Sequence, residues 1–180
     1  MAVAWNSCPI SHSEPFPPAA TLKSVGRFYS RAELLEQRLR WKHEGKTVVF
    51  TNGCYDLLHP GHIRLLEQAR SLGDVLILAL NSDASTRRAK GPARPLIPER
   101  ERAELAMALE AVDAVTLFDE DTPRDLVRSV LPDVLVKGAD WSHFVAGREE
   151  VEAAGGKVLT LALEPGYSTT NIVERILSRP

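Results

Sequence analysis

One hundred and eighty residues, 44% of them hydrophobic, suffice for one sizeable core and fit a single domain with an appendage. Lys and Arg number 22 against 24 Asp and Glu, a formal charge of −2, so no basic field points to nucleic acid. The longest strongly apolar run, Val75 to Leu80, is far short of a membrane span, and two cysteines make no disulfide framework; a reduced, cytoplasmic compartment is expected.

Residues 1–28 carry Pro9, Pro15, Pro17 and Pro18 without apolar periodicity, and lack the basic start and apolar segment of a secretory signal. They are expected to form a flexible tail, or alternatively a partner-docking arm, ahead of a folded domain over 29–180. Ser30 and Glu33 form a capping box, followed by Leu34, Leu35, Leu39 and Trp41 at helical spacing and by Gly45 as the stop.

Val48 to Phe50 is a short β-branched and aromatic run that suits a buried strand. Asn52-Gly53 is expected to break it with a turn that tolerates positive φ. A helical pattern follows, with Pro60 suited to the first turn and Ile63, Leu65, Leu66 and Ala69 as apolar positions, running to about Ser71. His59 and His62 should therefore sit at the helix start, where free backbone N–H groups attract anions. A His-x-x-His is often only structural. A zinc reading with Cys54 lacks a second Cys or His group at ligand spacing and the extra glutamate of helical zinc proteases. The context of strand, glycine turn and His-Pro-Gly-His opening a helix favours a polyphosphate site.

Val75 to Leu80 runs apolar without alternation, as in a parallel strand covered on both faces. Strand, helix and strand make a right-handed βαβ unit. Asn81-Ser82-Asp83 lies at the strand's C-terminal end, where open α/β sheets place their ligand crevice; Asp83 either binds sugar hydroxyls or caps the short helix that follows. Arg87, Arg88, Lys90 and Arg94 fall within eight residues containing glycine and proline. A loop over a triphosphate is favoured there over a merely solvated one. Pro98 to Leu109 reads as a helix with Leu105, Met107, Ala108 and Leu109 towards its apolar side, and Val112 to Phe118 as a strand. After an acidic turn, Asp119 to Asp121, Thr122 and Pro123 suit the cap and first position of a helix to Leu131.

Val134 to Val136 is the fourth strand, bringing Lys137 and Gly138 either to a phosphate or simply to the surface. Gly147 to Ala154 is a short helix and Lys157 to Leu163 the fifth strand. Ser168, Thr169 and Thr170 open the last helix and offer a second phosphate-holding start. The alternation predicts a doubly wound α/β sandwich with five parallel strands.

Gly53-Cys54-Tyr55-Asp56 followed by His59-Pro60-Gly61-His62 resembles the signature of the nucleotidyltransferase superfamily that carries an HxGH motif. Four further stretches follow in order: Asn81-Ser82-Asp83 with the Arg87-to-Arg94 segment; Val136 to Trp141; Val145 to Arg148 with Ala153 to Gly156; and Gly166 to Thr170. Together, over about residues 30 to 178, they resemble the adenylyltransferases that act on D-glycero-D-manno-heptose 1-phosphate to make ADP-heptose. Tyr55 stands where phenylalanine is usual in that family and Trp141 where tyrosine is common; the tryptophan also occurs in glycerol-3-phosphate cytidylyltransferases. The family is often the C-terminal half of a bifunctional protein with a ribokinase-like sugar kinase. This chain resembles the stand-alone form, which implies a separate heptose kinase.

The resemblance implies a Rossmann-like fold and transfer of AMP from ATP to the sugar 1-phosphate, for lipopolysaccharide or other glycan precursors. It implies Mg²⁺ carried by the triphosphate rather than a protein metal site, a homodimer, and no nucleic-acid or membrane partner. His59, His62 and Lys90 would be catalytic. Thr51, Asn52, Gly53, Cys54, Tyr55, Gly61, Arg87, Arg88, Lys137, Gly138, Ser168, Thr169 and Thr170 would bind the nucleotide and its phosphates, and Asp56, Asn81 and Asp83 the sugar phosphate. Cys54 is not needed as a nucleophile. Two other readings remain: a cytidylyl- or guanylyltransferase for glycerol 3-phosphate or another sugar phosphate, and a non-catalytic nucleotide sensor. Retention of His59, His62, Ser168 and Thr169 argues against the sensor.

Overall fold

The computed structural model describes residues 26–139, 144–162, 164 and 166–178. Most of the Pro-rich tail, together with Asp140, Trp141, Leu163 and Pro165, lies outside them. The elements in chain order are β1 (Arg27–Phe28), α1 (Arg31–His43), β2 (Val48–Gly53), α2 (Pro60–Arg70), β3 (Val75–Asn81), α3 (Asp83–Lys90) and α4 (Glu99–Met107). They continue with β4 (Ala114–Phe118), α5 (Arg124–Val130), β5 (Val134–Gly138), α6 (Arg148–Ala153), β6 (Lys157–Leu161) and α7 (Thr169–Leu177).

The sheet has six strands in the order β1-β4-β3-β2-β5-β6, every neighbouring pair parallel. The expected count of five is corrected by β1, whose Arg27 and Phe28 pair with Ala114 and Val115 of β4. Two residues carry no readable period, and both fell in the stretch assigned to the tail. The chain builds outward from β2 through β3 to β4, then returns to add β5 on the other side of β2. That reversal opens a crevice at the C-terminal ends of β2 and β5.

All seven residues of β3 are buried, which explains its unbroken apolar sequence. One core layer packs β2 and β3 against Leu34 and Trp41 of α1, Leu126 and Val127 of α5 and Val151 of α6. The other packs Val49, Leu76 and Leu78 against Leu66 and Ala69 of α2 and Ala103 and Ala106 of α4. Each fully buried Leu or Ile contributes about 1.5–3 kcal/mol relative to exposure.

At the opposite edge, the aspartate just before each of β3, β4 and β5 ties down a neighbouring strand. Asp74 accepts from the Thr47 N–H at 2.8 Å, Asp113 from Leu76 at 2.7 Å and Asp133 from Val48 at 2.7 Å. The backbone N–H of each aspartate returns a bond to the same residue's carbonyl.

Local readings held where chemistry was local. Ser30 and Glu33 make both bonds of the capping box, and Gly45 leaves α1 with φ 70°. Others are corrected. Leu39 is exposed and Arg38 is buried instead, its guanidinium held by Asp133 and the Leu131 carbonyl. Leu105 is also exposed; α4 buries Arg102, Ala103 and Ala106. Pro123, not Thr122, occupies the N-cap of α5, without a side-chain cap bond. Asn52-Gly53 does not break β2, which runs through Gly53; the left-handed residue is Tyr55, at φ 46°.

Candidate active site

A cavity of about 590 Å³ opens at the strand-order reversal. Thr51 to Asp56 from the end of β2, His59, Gly61 and His62 from the start of α2, and Lys137 and Gly138 from β5 line it. Asn81, Lys90 and Arg94 close one side, and Tyr167 to Thr170 another. Every expected site residue except Arg87, Arg88 and Asp83 contributes to this wall.

The two histidines owe their arrangement to the helix start. His59 is the N-cap, and its Nδ1 accepts the His62 backbone N–H at 3.3 Å. Pro60 follows at the first position, where its lost N–H costs nothing. The imidazoles stack with ring centroids 3.7 Å apart and planes 14° apart. Tyr55 packs on His62 at 4.8 Å, and Tyr167 on His59 at 6.0 Å. Two imidazolium ions cannot share such a stack without strong repulsion. Burial lowers the His59 pKa. It lowers that of His62 to about 4, with repulsion from His59 adding to the effect and the Leu57 backbone opposing it. Both rings are therefore neutral at pH 7. With Nδ1 of His59 accepting, its remaining proton sits on Nε2, a neutral donor suited to a phosphate oxygen. Nδ1 of His62 is buried without a hydrogen-bond partner among the described residues.

Tyr55 is buried, and burial pushes its phenol far above the ordinary value; Thr51 hydrogen-bonds its side chain. Gly53 is required by this ring, since a Cβ there would lie 2.9 Å from Tyr55 Cε2. Ser168 caps α7 by accepting the Thr170 N–H at 3.1 Å. The Thr169 hydroxyl meets the Leu57 carbonyl at 3.5 Å, joining the α7 start to the loop before the histidines. Lys137 Nζ approaches the Asn52 carbonyl at 3.4 Å.

The cationic stretch differs from its expected form. Arg87, Arg88 and Lys90 form the last turn of α3, and only from Gly91 does the chain become a loop. Lys90 faces the cavity. Arg88 turns to Asp121 and to the Asp119 carbonyl, and those acidic partners raise its pKa. Arg87 and Asp83 line a neighbouring groove with Glu99 and Phe118. Ser82 rather than Asp83 caps α3, accepting the Ser85 N–H at 2.9 Å. Asp83 and Asp56 are both engaged within the protein. Asp83 accepts from Arg102 at 2.9 Å. Asp56 accepts from Arg94 at 2.5 Å and from the N–H groups of Leu96 and Ile97 at 2.7 and 3.0 Å.

Sequence reasoning did not single out Tyr167 or Arg102, and read Arg94 only as one cation of the triphosphate loop, not as the partner of Asp56. Tyr167 stands between Gly166 and Ser168, a position that could have been read as a ring turned toward the histidines. The Arg64 guanidinium lies 5.6 Å from its ring and pairs with Glu164. Among the described residues, no group of three or more His, Cys, Asp or Glu is placed to hold a metal ion, and no helix is long and apolar enough to cross a membrane.

A reversing parallel sheet with stacked histidines at the crossover helix between β2 and β3 and a hydroxyl-rich helix start in the same cavity defines a nucleotidyltransferase-type site. The chain belongs to the cytidylyltransferase-like family, whose model matches residues 50–175. It is 58% identical over 139 residues to the bifunctional protein HldE of Syntrophotalea carbinolica, covering 77% of this chain and 28% of that one. Against the bifunctional protein HldE of Acidiphilium cryptum it is 50% identical over 163 residues, covering 90% and 33%. The chain thus spans about a third of the length of these curated relatives. Among solved structures, a lipopolysaccharide core biosynthesis protein from Thermoplasma volcanium matches with a TM-score of 0.55 and 30% identity, over 67% of this chain and 98% of that one.

Proposed function

We propose that this chain transfers the adenylyl group of MgATP to D-glycero-D-manno-heptose 1-phosphate, giving ADP-heptose and pyrophosphate for a lipopolysaccharide or related glycan. The observation that carries this reading is the stacked His59–His62 pair beside the Ser168–Thr170 helix start in one cavity. A sugar phosphate is already ionised at pH 7, so its oxygen can attack the α-phosphorus of ATP without a general base. The bond from the α-phosphorus to the bridging oxygen breaks in line, and pyrophosphate leaves with the Mg²⁺ it arrived with. No protein nucleophile is needed, and Cys54 has no part in the step. Catalysis then consists of positioning and charge stabilisation.

In this scheme His59 and His62 donate N–H groups to the triphosphate, more strongly as charge builds at the α-phosphorus. Gly61 lets the triphosphate lie close to the helix start, and Ser168, Thr169 and Thr170 hold its outer phosphates. Lys90 supplies positive charge from α3. Thr51 to Tyr55 and Lys137-Gly138 form the floor under the nucleotide. Of the residues expected on the sugar side, Asn81 and Asp56 both line the cavity; Asn81 Nδ2 donates to the Ser85 hydroxyl at 2.9 Å, and Asp56 is taken up by Arg94. Heptose phosphate as the acceptor rests on the motif resemblance over about residues 30 to 178, to which the 50–58% identity to proteins named HldE adds support. A separate kinase as the source of the sugar phosphate is implied by the same resemblance and belongs to this proposal. Action in the cytoplasm and as a homodimer belongs to the same proposal.

The test is pyrophosphate release with Mg²⁺, pairing ATP, CTP or GTP with the α- and β-heptose 1-phosphates and glycerol 3-phosphate. Release with ATP and a heptose phosphate alone is expected. Release with CTP and glycerol 3-phosphate would overturn the substrate while leaving the chemistry.

A further inference from the structure

Arg102 lies on α4, away from both histidines, and its side chain is fully buried. Burying a guanidinium is costly unless most of its five N–H donors find acceptors, because it cannot lose its charge. Here Nε donates to the Ile97 carbonyl at 2.9 Å and Nη1 to the Cys54 carbonyl at 2.6 Å. Nη2 donates to the Asn81 carbonyl and to Asp83 Oδ1, both at 2.9 Å. These four acceptors are not neighbours in sequence. Cys54 directly follows β2 and leads into the left-handed Tyr55 and the histidine loop. Asn81 ends β3. Asp83 opens α3, and Ile97 closes the loop after it. Residues 83–97 include Lys90 and Arg94, both lining the cavity. Asp56, just past Tyr55, grips the far part of the same segment through Arg94, Leu96 and Ile97.

We propose that Arg102 is a positioning residue whose guanidinium pins both ends of the cationic segment 83–97 to the ends of β2 and β3, and so sets where Lys90 and Arg94 stand relative to His59 and His62. This rests on the reading of the cavity as a nucleotidyl-transfer site. It also gives Asp83 and Asp56 a role: each holds the segment in place rather than contacting the sugar phosphate. A lysine cannot replace Arg102, since three donors on a tetrahedral nitrogen do not match four acceptors set around a planar fork.

The experiment uses the full chain with Arg102→Lys and Asp83→Asn, followed by urea unfolding, amide hydrogen exchange and steady-state pyrophosphate release. Both variants should unfold cooperatively. The Leu96 and Ile97 amides should exchange at least tenfold faster while β3 and β4 amides stay within about twofold of wild type. Turnover should fall at least tenfold, with KM for ATP and for the sugar phosphate within about threefold. Unchanged loop exchange, or exchange accelerated equally in β3 and β4, overturns the proposal. So does a rise in the sugar-phosphate KM of Asp83→Asn with turnover intact, which would return Asp83 to the ligand. If Arg102→Lys does not fold, Asp83→Asn decides alone, since it leaves the three carbonyl bonds of Arg102 in place. If the wild-type chain releases no pyrophosphate with any pair, the proposed reaction falls, and the exchange data still determine whether Arg102 holds the segment.

Discussion

Replacing Gly61 by alanine separates the stability of α2 from the geometry of the site. Gly61 is the second residue of the helix and its φ is not in the left-handed region, so alanine fits the backbone. Helix propensity favours the change by up to about 1 kcal/mol, less in the first turn, and the buried methyl adds about 0.8 kcal/mol. Opposing this, a Cβ would lie 3.0 Å from Tyr167 Cβ and 3.2 Å from His59 Nδ1. Both neighbours must give by a few tenths of an ångström, at roughly 1–3 kcal/mol. Net stability should lie between about 1 kcal/mol above and about 2 kcal/mol below wild type. The His59 ring, however, is held by a bond already 3.3 Å long and by a stack at 3.7 Å. A shift of that size breaks the bond and turns the ring. Near-attack geometry is sensitive on this scale, so kcat/KM should fall about 10- to 100-fold. Pyrophosphate release measures the second effect and urea unfolding the first. Wild-type kcat/KM would refute the reasoning, as would a stability loss above about 3 kcal/mol.

Three further outcomes are expected. His59→Asn keeps an N-cap able to accept the His62 N–H, so stability should change by less than about 1 kcal/mol while turnover falls at least 100-fold; turnover within tenfold of wild type would remove His59 from the transition state. His62, neutral in the fold down to about pH 4 but protonated below about 6.5 when unfolded, makes the native state bind fewer protons across that window. Stability should thus be fully retained above pH 6.5 and fall by up to about 3 kcal/mol as the pH drops to 4, a loss that His62→Gln reduces in urea titrations. The carboxylates of Glu33, Glu120 and Glu150, held low by their hydrogen-bond and ion-pair partners, add their losses only below about pH 4.5. Gly147→Ala, at φ 91° with a Cβ 2.5 Å from Val127 Cγ1, should destabilise by roughly 2–4 kcal/mol in the same assay.

The unbroken apolar run of β3, the capping box at Ser30 and Pro60 beside the histidines could be read in the sequence because each acts over a few residues. Positions set by long-range partners could not. Arg102 looks like one more charge in Glu-Arg-Glu-Arg, and nothing nearby announces that its acceptors lie 5 to 48 residues away. Asp83 and Asp56 have the residue type of ligands, yet their arginine partners lie 19 and 38 residues away in sequence. Leu39 and Leu105 failed for a different reason. A helix covering a sheet buries only a narrow stripe, and in α1 and α4 an arginine with internal acceptors took a place on it. Val48 to Phe50 established the strand, but its end at Gly53 was misplaced because glycine there makes room for the Tyr55 ring rather than for a turn.

The aspartates ahead of β3, β4 and β5 give the molecule two edges of opposite character. Along one, side chain and backbone stitch each strand to its neighbour at a fixed offset, so register is settled at the entrances of the strands. Along the other, the same strands end in Asn52-Gly53, Asn81 and Lys137-Gly138, which still pair with their neighbours in the sheet but turn their side of the molecule to the cavity. Residues at those exits, and in the loops beyond them, can be exchanged to suit a different nucleotide or acceptor without the sheet having to realign.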